Sequence, residues 1–211
     1  MSELKITVSM PCYGRPMRTR RAIDCILNQN INGWEALITG DGCPYMADLI
    51  TSSEYVDKIR EAESRGNKVY LSNNHTNHGG WGYKIINDNI QKAKGKYFLF
   101  MSNDDVITEN HFKSYLSDIE TYQLDFAYYD TFIKPTGTIR RPVLKNGYIG
   151  HSELIIRTEF LKKMPPHEDK YGHDWTLIDN MIKAGGNSAY FHKDPTYFVM
   201  GLGELRQDEI D

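Results

Sequence analysis

Cysteine is scarce: only Cys12, Cys25 and Cys43 occur in 211 residues, irregularly spaced and without a CxxC pair. That argues against a disulfide framework or a structural zinc site and reads as reduced thiols in or near a core. No apolar run reaches the roughly 18 residues of a transmembrane helix. The opening MSELKITVSM lacks the basic and long apolar regions of a signal peptide. The expectation is a soluble, cytoplasmic protein without membrane insertion. An excess of charge of one sign is missing too. The 25 Lys and Arg are intermixed with 28 Asp and Glu for a net charge of −3, so a nucleic acid, which calls for a clustered basic face, is not an expected partner. No GxGxxG follows the first strand, which disfavours a dinucleotide-binding dehydrogenase.

What is present suits one globular domain. A chain of this size buries about 70% of its extended-chain surface, and 40% of its residues are hydrophobic. Short apolar strands alternate with helical segments, the pattern of an α/β fold with a mainly parallel sheet. Strands are expected at residues 5–10 (stopped by Pro11), 35–39, 68–72 and 96–101. Helices are expected at 19–28, 47–65 and 83–93. The alternation then loosens into a helix at 109–121, a strand at 126–129, a hairpin around Lys134-Pro135-Thr136-Gly137, a strand at 153–157, helices at 158–163 and 174–184, and a last strand at 189–192. Neither a repeat nor a linker divides the chain.

In open parallel sheets ligands bind at the carboxyl ends of the strands. Three of the first four strands end in polar clusters: residues 11–15, Gly40-Asp41-Gly42, and Ser102-Asn103-Asp104-Asp105. If they share one edge, they converge on one cleft. Asp104 and Asp105 follow the apolar YFLFM, and paired carboxylates there suit a hard cation, Mn²⁺ or Mg²⁺. The same pair also serves to open a turn and cap the next helix.

The order of ITVSMPCYGRP, RRAIDCILNQ, ITGDG, NHGGWGYKIINDNIQKAKGKYFLFMSNDD and GHDWTLIDNMIKAG resembles the family 2 glycosyltransferases over nearly the whole chain. That resemblance implies a single-domain GT-A (Rossmann-like) fold, with a mixed, mostly parallel central sheet flanked by helices. Residues 1–105 would be the nucleotide-sugar-binding half and 106–211 the acceptor-binding half, and the chain would be a module of a longer protein. It also implies a metal-dependent transfer from a nucleotide-diphosphate sugar, UDP favoured, to a hydroxyl of a glycan or glycoprotein acceptor. By position, Pro11, Tyr13, Arg15 and Asp41 would embrace the nucleotide. The family's DxD falls on Ser102-Asn103-Asp104, so Ser replaces the first acidic residue. Asn103 and Asp104 would meet the donor, and Asp104, Asp105 and a late His192 the metal. Gly79 and Gly80 would let backbone amides approach the diphosphate. Asp174 would be the base that deprotonates the acceptor.

Each assignment has a plainer counterpart. Asp174 equally suits a helix N-cap, His192 a hydrogen-bonded structural residue, and Gly79-Gly80 an ordinary loop. Arg18, Arg20 and Arg21 read as a solvated helix face, Asn87 and Asp88 as donor contacts, and Trp81 and Trp175 as a sugar platform. Two other functions compete. A sugar-1-phosphate nucleotidylyltransferase would need a GxGTR-like opening where this chain has PCYGRP. A non-catalytic nucleotide-sugar-binding module would fit the Ser102 departure.

Overall fold

In the computed structural model, residues 4–79, 82–170 and 172–201 are described. The strands β1 (Ile6–Cys12), β2 (Trp34–Gly40), β3 (Lys68–Asn73), β4 (Tyr97–Phe100), β6 (Phe126–Tyr129), β9 (Leu154–Arg157) and β10 (Ser188–Phe191) form a seven-stranded sheet. Its order is β10-β6-β9-β4-β1-β2-β3. Only β9 is antiparallel to its neighbours, β4 and β6. The carboxyl ends of β1, β2 and β4 therefore share one edge, as the polar strand ends require.

Helices cover both faces. Along β4 the side chains alternate: Tyr97 and Leu99 join one cluster with Ile23, Ile26, Phe112 and Tyr115, from α1 (Pro16–Leu27) and α5 (His111–Thr121). Phe98 and Phe100 join another with Ile86, Ile90, Leu177 and Ile178, from α4 (Tyr83–Lys92) and α7 (His173–Lys183). A near-continuously buried strand such as β1 is what a parallel sheet covered on both faces produces. The edge strand β3 instead alternates, leaving Tyr70 exposed. No helix among the described residues is long and apolar enough to cross a membrane.

Several expectations are corrected. Pro11 does not stop β1, which pairs on through Cys12 to Gly40. Ser9 faces β4, where its carbonyl accepts from Met101. By the two-residue period Pro11 faces the same side, beyond the end of β4, so its missing N–H costs no ladder bond. The helix expected at 47–65 is two, α2 (Met46–Thr51) and α3 (Ser53–Ser64), broken at Ser52, which is extended at φ −64°, ψ 124°. Thr51 Oγ1 bonds back to the carbonyls of Ala47 and Asp48, the competition that disfavours Ser and Thr inside helices. A second sheet, in the order β5-β11-β7-β8, was not foreseen. It comprises β5 (Val106–Ile107), β7 (Thr131–Ile133), β8 (Thr138–Arg140) and β11 (Tyr197–Val199). The β7–β8 pair is the expected hairpin, its turn closed by Gly137 at φ 65°. The short helix after β9, α6 (Thr158–Leu161), ends two residues early.

Gly95 enters β4 against β1: a Cβ there would lie 2.4 Å from the Ile6 carbonyl carbon and 2.4 Å from the Thr7 nitrogen. Backbone cannot yield as a side chain does. Gly95→Ala should therefore lower stability by about 3 kcal/mol, measured as a shift of the urea midpoint.

Candidate active site at the carboxyl edge of the sheet

A cleft of about 1220 Å³ opens along the carboxyl edge. It is lined by Pro11 near the end of β1, Tyr13 and Arg15 after it, Asp41 after β2, Gly79, and Asn103 and Asp105 after β4. From the far side come His151, His173 and Asp174. Most of the expected site residues thus meet in one cavity. Gly80 and Trp81 lie outside the described residues, and neither His192 nor the buried Asp104, which sits just beneath the wall between Asn103 and Asp105, is among the lining residues.

The β1 end is shaped by an unusual backbone. Gly14 and Arg15 both take left-handed conformations, at φ 61° and φ 53°, before Pro16 begins α1. Such a conformation is uncommon outside glycine. Nη1 of Arg15 donates to Asp104 Oδ2 at 2.7 Å. The other Asp104 oxygen accepts from the Ser102 hydroxyl. The residue standing in the first acidic position therefore braces the carboxylate that follows it. Asn103 turns toward α1, its Nδ2 donating to Thr19 Oγ1 at 2.8 Å.

Asp105 faces the small sheet. Its Oδ2 accepts from the Tyr197 hydroxyl at 2.9 Å and its Oδ1 from the Met200 N–H at 2.9 Å. Burial, aided by the charge of Asp104, raises its carboxyl to about 6, the behaviour of a carboxylate short of positive charge. The Tyr197 hydroxyl also accepts from the Ser102 N–H at 3.1 Å. Tyr197→Phe would strand both partners, so unfolding in urea should show a loss of about 2 kcal/mol.

Asp41 is buried and accepts from the N–H groups of His78, at 3.0 and 3.1 Å, and Gly79, at 3.1 Å. Gly42 makes room for this loop: a Cβ there would sit 2.5 Å from the Asn77 nitrogen. Asp41 thus gathers the 77–79 loop against the end of β2. Arg18 and Arg21 are not on a solvated face. Arg18 Nη1 donates to the Gly201 carbonyl and Arg21 Nη2 to the Asp104 carbonyl. Three apart on α1, they share the face turned toward the strand ends. Asn87 clamps the backbone of His167 with both amide atoms, at 2.9 and 2.8 Å. Asp88 is exposed, and Trp175 lines the cleft.

Across the cleft, Asp174 sits in the first turn of α7, behind Gly172 at φ 80°. Burial pushes its carboxyl up, but His151 and the N–H groups of Asp174 and His151 more than offset this. It lies below the usual carboxylate range and is ionised at neutral pH. Around it stand three imidazoles. Burial lowers His151 to about 4 and His167 to about 2, so both are neutral. His151 and His167 were not singled out in the sequence. The only signal was a histidine just before β9 and another after Pro165-Pro166, far from the acidic pair. His151 reaches the cleft because β9 runs against its neighbours, so its first residues lie at the edge where theirs end.

His192 caps β10, its Nδ1 bonded to the buried Asp130, whose other oxygen holds the Tyr190 hydroxyl. The approach to β9 is fixed by Glu153. This fully buried carboxylate accepts from Arg140, from Thr131 Oγ1 at 2.8 Å and from the Gly150 N–H at 2.7 Å.

The model of the family described as Glycosyl transferase family 2 matches residues 7–194. An uncharacterized glycosyltransferase of Rickettsia typhi is 25% identical over 210 residues, covering 88% of this chain and 60% of the relative. The Staphylococcus aureus protein TarS (residues 1–349, in complex with UDP) shares the fold at a TM-score of 0.70 and 19% identity, over 92% of this chain and 60% of that one. The mannosyltransferase PcManGT of Pyrobaculum calidifontis, in complex with GDP-Man and Mn²⁺, aligns at a TM-score of 0.68 and 13% identity, over 96% of this chain and 59% of its own. The chain therefore spans less than two thirds of the length of each.

Proposed function

The chain belongs to glycosyl transferase family 2, and from that premise we propose that its cleft moves a sugar from a nucleotide-diphosphate donor, UDP-linked by preference, to a hydroxyl of a glycan or glycoprotein. The observation that carries this reading is the meeting of Asp41, Arg15 and Asp174 on one cavity. Residues 1–105 take the donor and 106–211 the acceptor.

Pro11, Tyr13 and Asp41 hold the nucleotide, Asp41 with the oxygen lone pairs that the 78–79 amides leave free. Arg15, now paired with Asp104, has the diphosphate as its alternative partner, with the Gly79 loop beside it. Asp174 accepts the proton of the acceptor hydroxyl. The acceptor oxygen then bonds to the anomeric carbon, and the bond from that carbon to the diphosphate breaks, the electron pair leaving with the diphosphate. A half-buried helix-terminal carboxylate kept ionised at neutral pH suits that task.

The strand-end carboxylates fit a hard cation. Asp104 and Asp105 bring two negative charges, and the Arg15 guanidinium pairs with Asp104 alone, which leaves charge for Mg²⁺ or Mn²⁺ to neutralise. Asp104 would be its main ligand, with Asp105 braced behind. Such an ion supplies electrostatic stabilisation of the departing diphosphate. UDP and UDP-GlcNAc in complexes of TarS, and GDP-Man with Mn²⁺ in PcManGT, support the donor class and the ion.

Calorimetric titration of UDP, GDP, TDP, CMP and UDP-sugars with and without Mn²⁺ tests the reading. One nucleoside diphosphate should bind tightly and only with the ion. Binding of none would sink the transferase assignment.

A further inference from the structure

His151, His173 and Asp174 each offer a ligand atom within 4.8 Å of the other two. All three line the cleft, so an ion has a path in. This cluster is separate from the strand-end carboxylates, and its chemistry differs: two imidazoles and one carboxylate suit a borderline d-block cation better than Mg²⁺.

The hydrogen bonds around the cluster fix which nitrogens are free. Asn87 Nδ2 donates to the His167 carbonyl at 2.9 Å, so its Oδ1 faces His167 and accepts from the backbone N–H at 2.8 Å. The same Oδ1 lies 3.2 Å from His167 Nδ1, which must therefore carry the proton. A neutral His167 then bears its lone pair on Nε2, and that atom lies 3.1 Å from His151 Nε2. It can only accept there, so His151 Nε2 carries a proton and His151 Nδ1 is left with a lone pair. A relay that begins at Asn87 thus prepares one imidazole nitrogen as a ligand, the arrangement that surrounds metal-bound histidines.

The His173 ring is also unspent, and the Asp174 carboxylate, held by two backbone N–H groups, keeps lone pairs to offer. His173 is buried, and among the described residues its Nδ1 has no hydrogen-bond partner. Its Nε2 lies 3.6 Å from Asp174 Oδ1, too long for a good hydrogen bond and close to the ligand spacing in a tetrahedral site with metal–nitrogen bonds of about 2.0–2.1 Å. Phe100 stacks on the His151 ring at 4.1 Å, fixing its plane.

We propose that His151, His173 and Asp174 form a second cation site, for Zn²⁺ or a similar ion, whose occupancy silences transfer. Three protein ligands leave a fourth position open to the cleft. An ion there holds the Asp174 lone pair that would take the acceptor proton. This inhibitory consequence rests on the proposed role of Asp174; the site itself does not.

The test uses the untagged chain without nucleotide. Co²⁺ should give the intense visible ligand-field bands of a four-coordinate ion, and Zn²⁺ should displace it at one ion per chain. His151→Asn should abolish the bands. His167→Gln, which breaks the relay without removing a ligand, should weaken Zn²⁺ about 10–100-fold. Circular dichroism establishes that each variant is folded. With Mn²⁺ saturating, Zn²⁺ should slow transfer and a chelator that takes Zn²⁺ first should restore it. Absence of Co²⁺ bands in the wild-type chain would overturn the site, as would unchanged Zn²⁺ affinity in a folded His151→Asn. Zn²⁺ that binds without slowing transfer would overturn the inhibitory role. If no nucleotide binds yet Co²⁺ still shows its bands, the donor reading fails and the site stands.

Discussion

Asp174→Asn is expected to lower the transfer rate by about 10²–10⁴-fold, the worth of a positioned general base, while donor affinity stays unchanged. The amide is nearly isosteric with the carboxylate and keeps an oxygen to accept from the N–H groups of Asp174 and His151 that now hold the side chain. The start of α7 should therefore keep its shape. What is lost is the ability to take a proton. Single-turnover transfer assays, paired with donor calorimetry on the same protein, separate the two quantities. Near wild-type transfer would reduce Asp174 to a helix-terminal carboxylate with no part in the chemistry. A parallel loss of donor binding would point to a damaged cleft.

Asp104→Ala is expected to act on the other half of the reaction. It removes the main proposed cation ligand and frees Arg15 from its 2.7 Å ion pair. The fold should survive, because the side chain lies at a strand end outside both apolar clusters. Charge stabilisation by a bound ion amounts to several kcal/mol, so donor affinity in Mn²⁺ should fall by about 100-fold or more. The difference between Mn²⁺ and chelator should vanish. If the variant binds donor as tightly as the wild type, and still only with Mn²⁺, the cation is held elsewhere.

The first half of the molecule was legible because its signals are local and repeated. Val8, Ile38 and the YFLFM run mark buried strands. Ala22, Ile23 and Ile26 mark one helix face, and the glycines at 66 and 185 end helices with positive φ. The polar strand ends pointed to one cleft on topology alone, and Arg15, Asp41 and Asp174 do meet there. The second sheet was not legible. Strands as short as Val106–Ile107 carry no period, and they exist because Tyr197 and Met200 satisfy an Asp105 carboxylate more than 90 positions earlier. The histidine cluster hid for the same reason: His151, His167 and His173 come from three segments with no ligand spacing, joined only by the reversed strand β9 and by Asn87. The inward turn of Arg18 and Arg21 escaped notice because charge spacing alone does not say which side of a helix is wet.

Glu153 has a consequence for how such a chain can change. It grips Arg140 at the end of β8 and the Gly150 N–H just before β9, so one buried side chain ties off both ends of the cleft-facing segment between them. Between them Leu144 and Ile149 still pack on the sheet, but the exposed residues 145–148 are uncoupled from it. Doubling the length of a flexible loop adds only about 0.6 kcal/mol of closure entropy. Insertions, deletions and grafts within the exposed residues 145–148 are thus cheap so long as the two anchor points and the packing of Leu144 and Ile149 persist, and selection is free to remodel that wall of the cleft while the scaffold stays as it is.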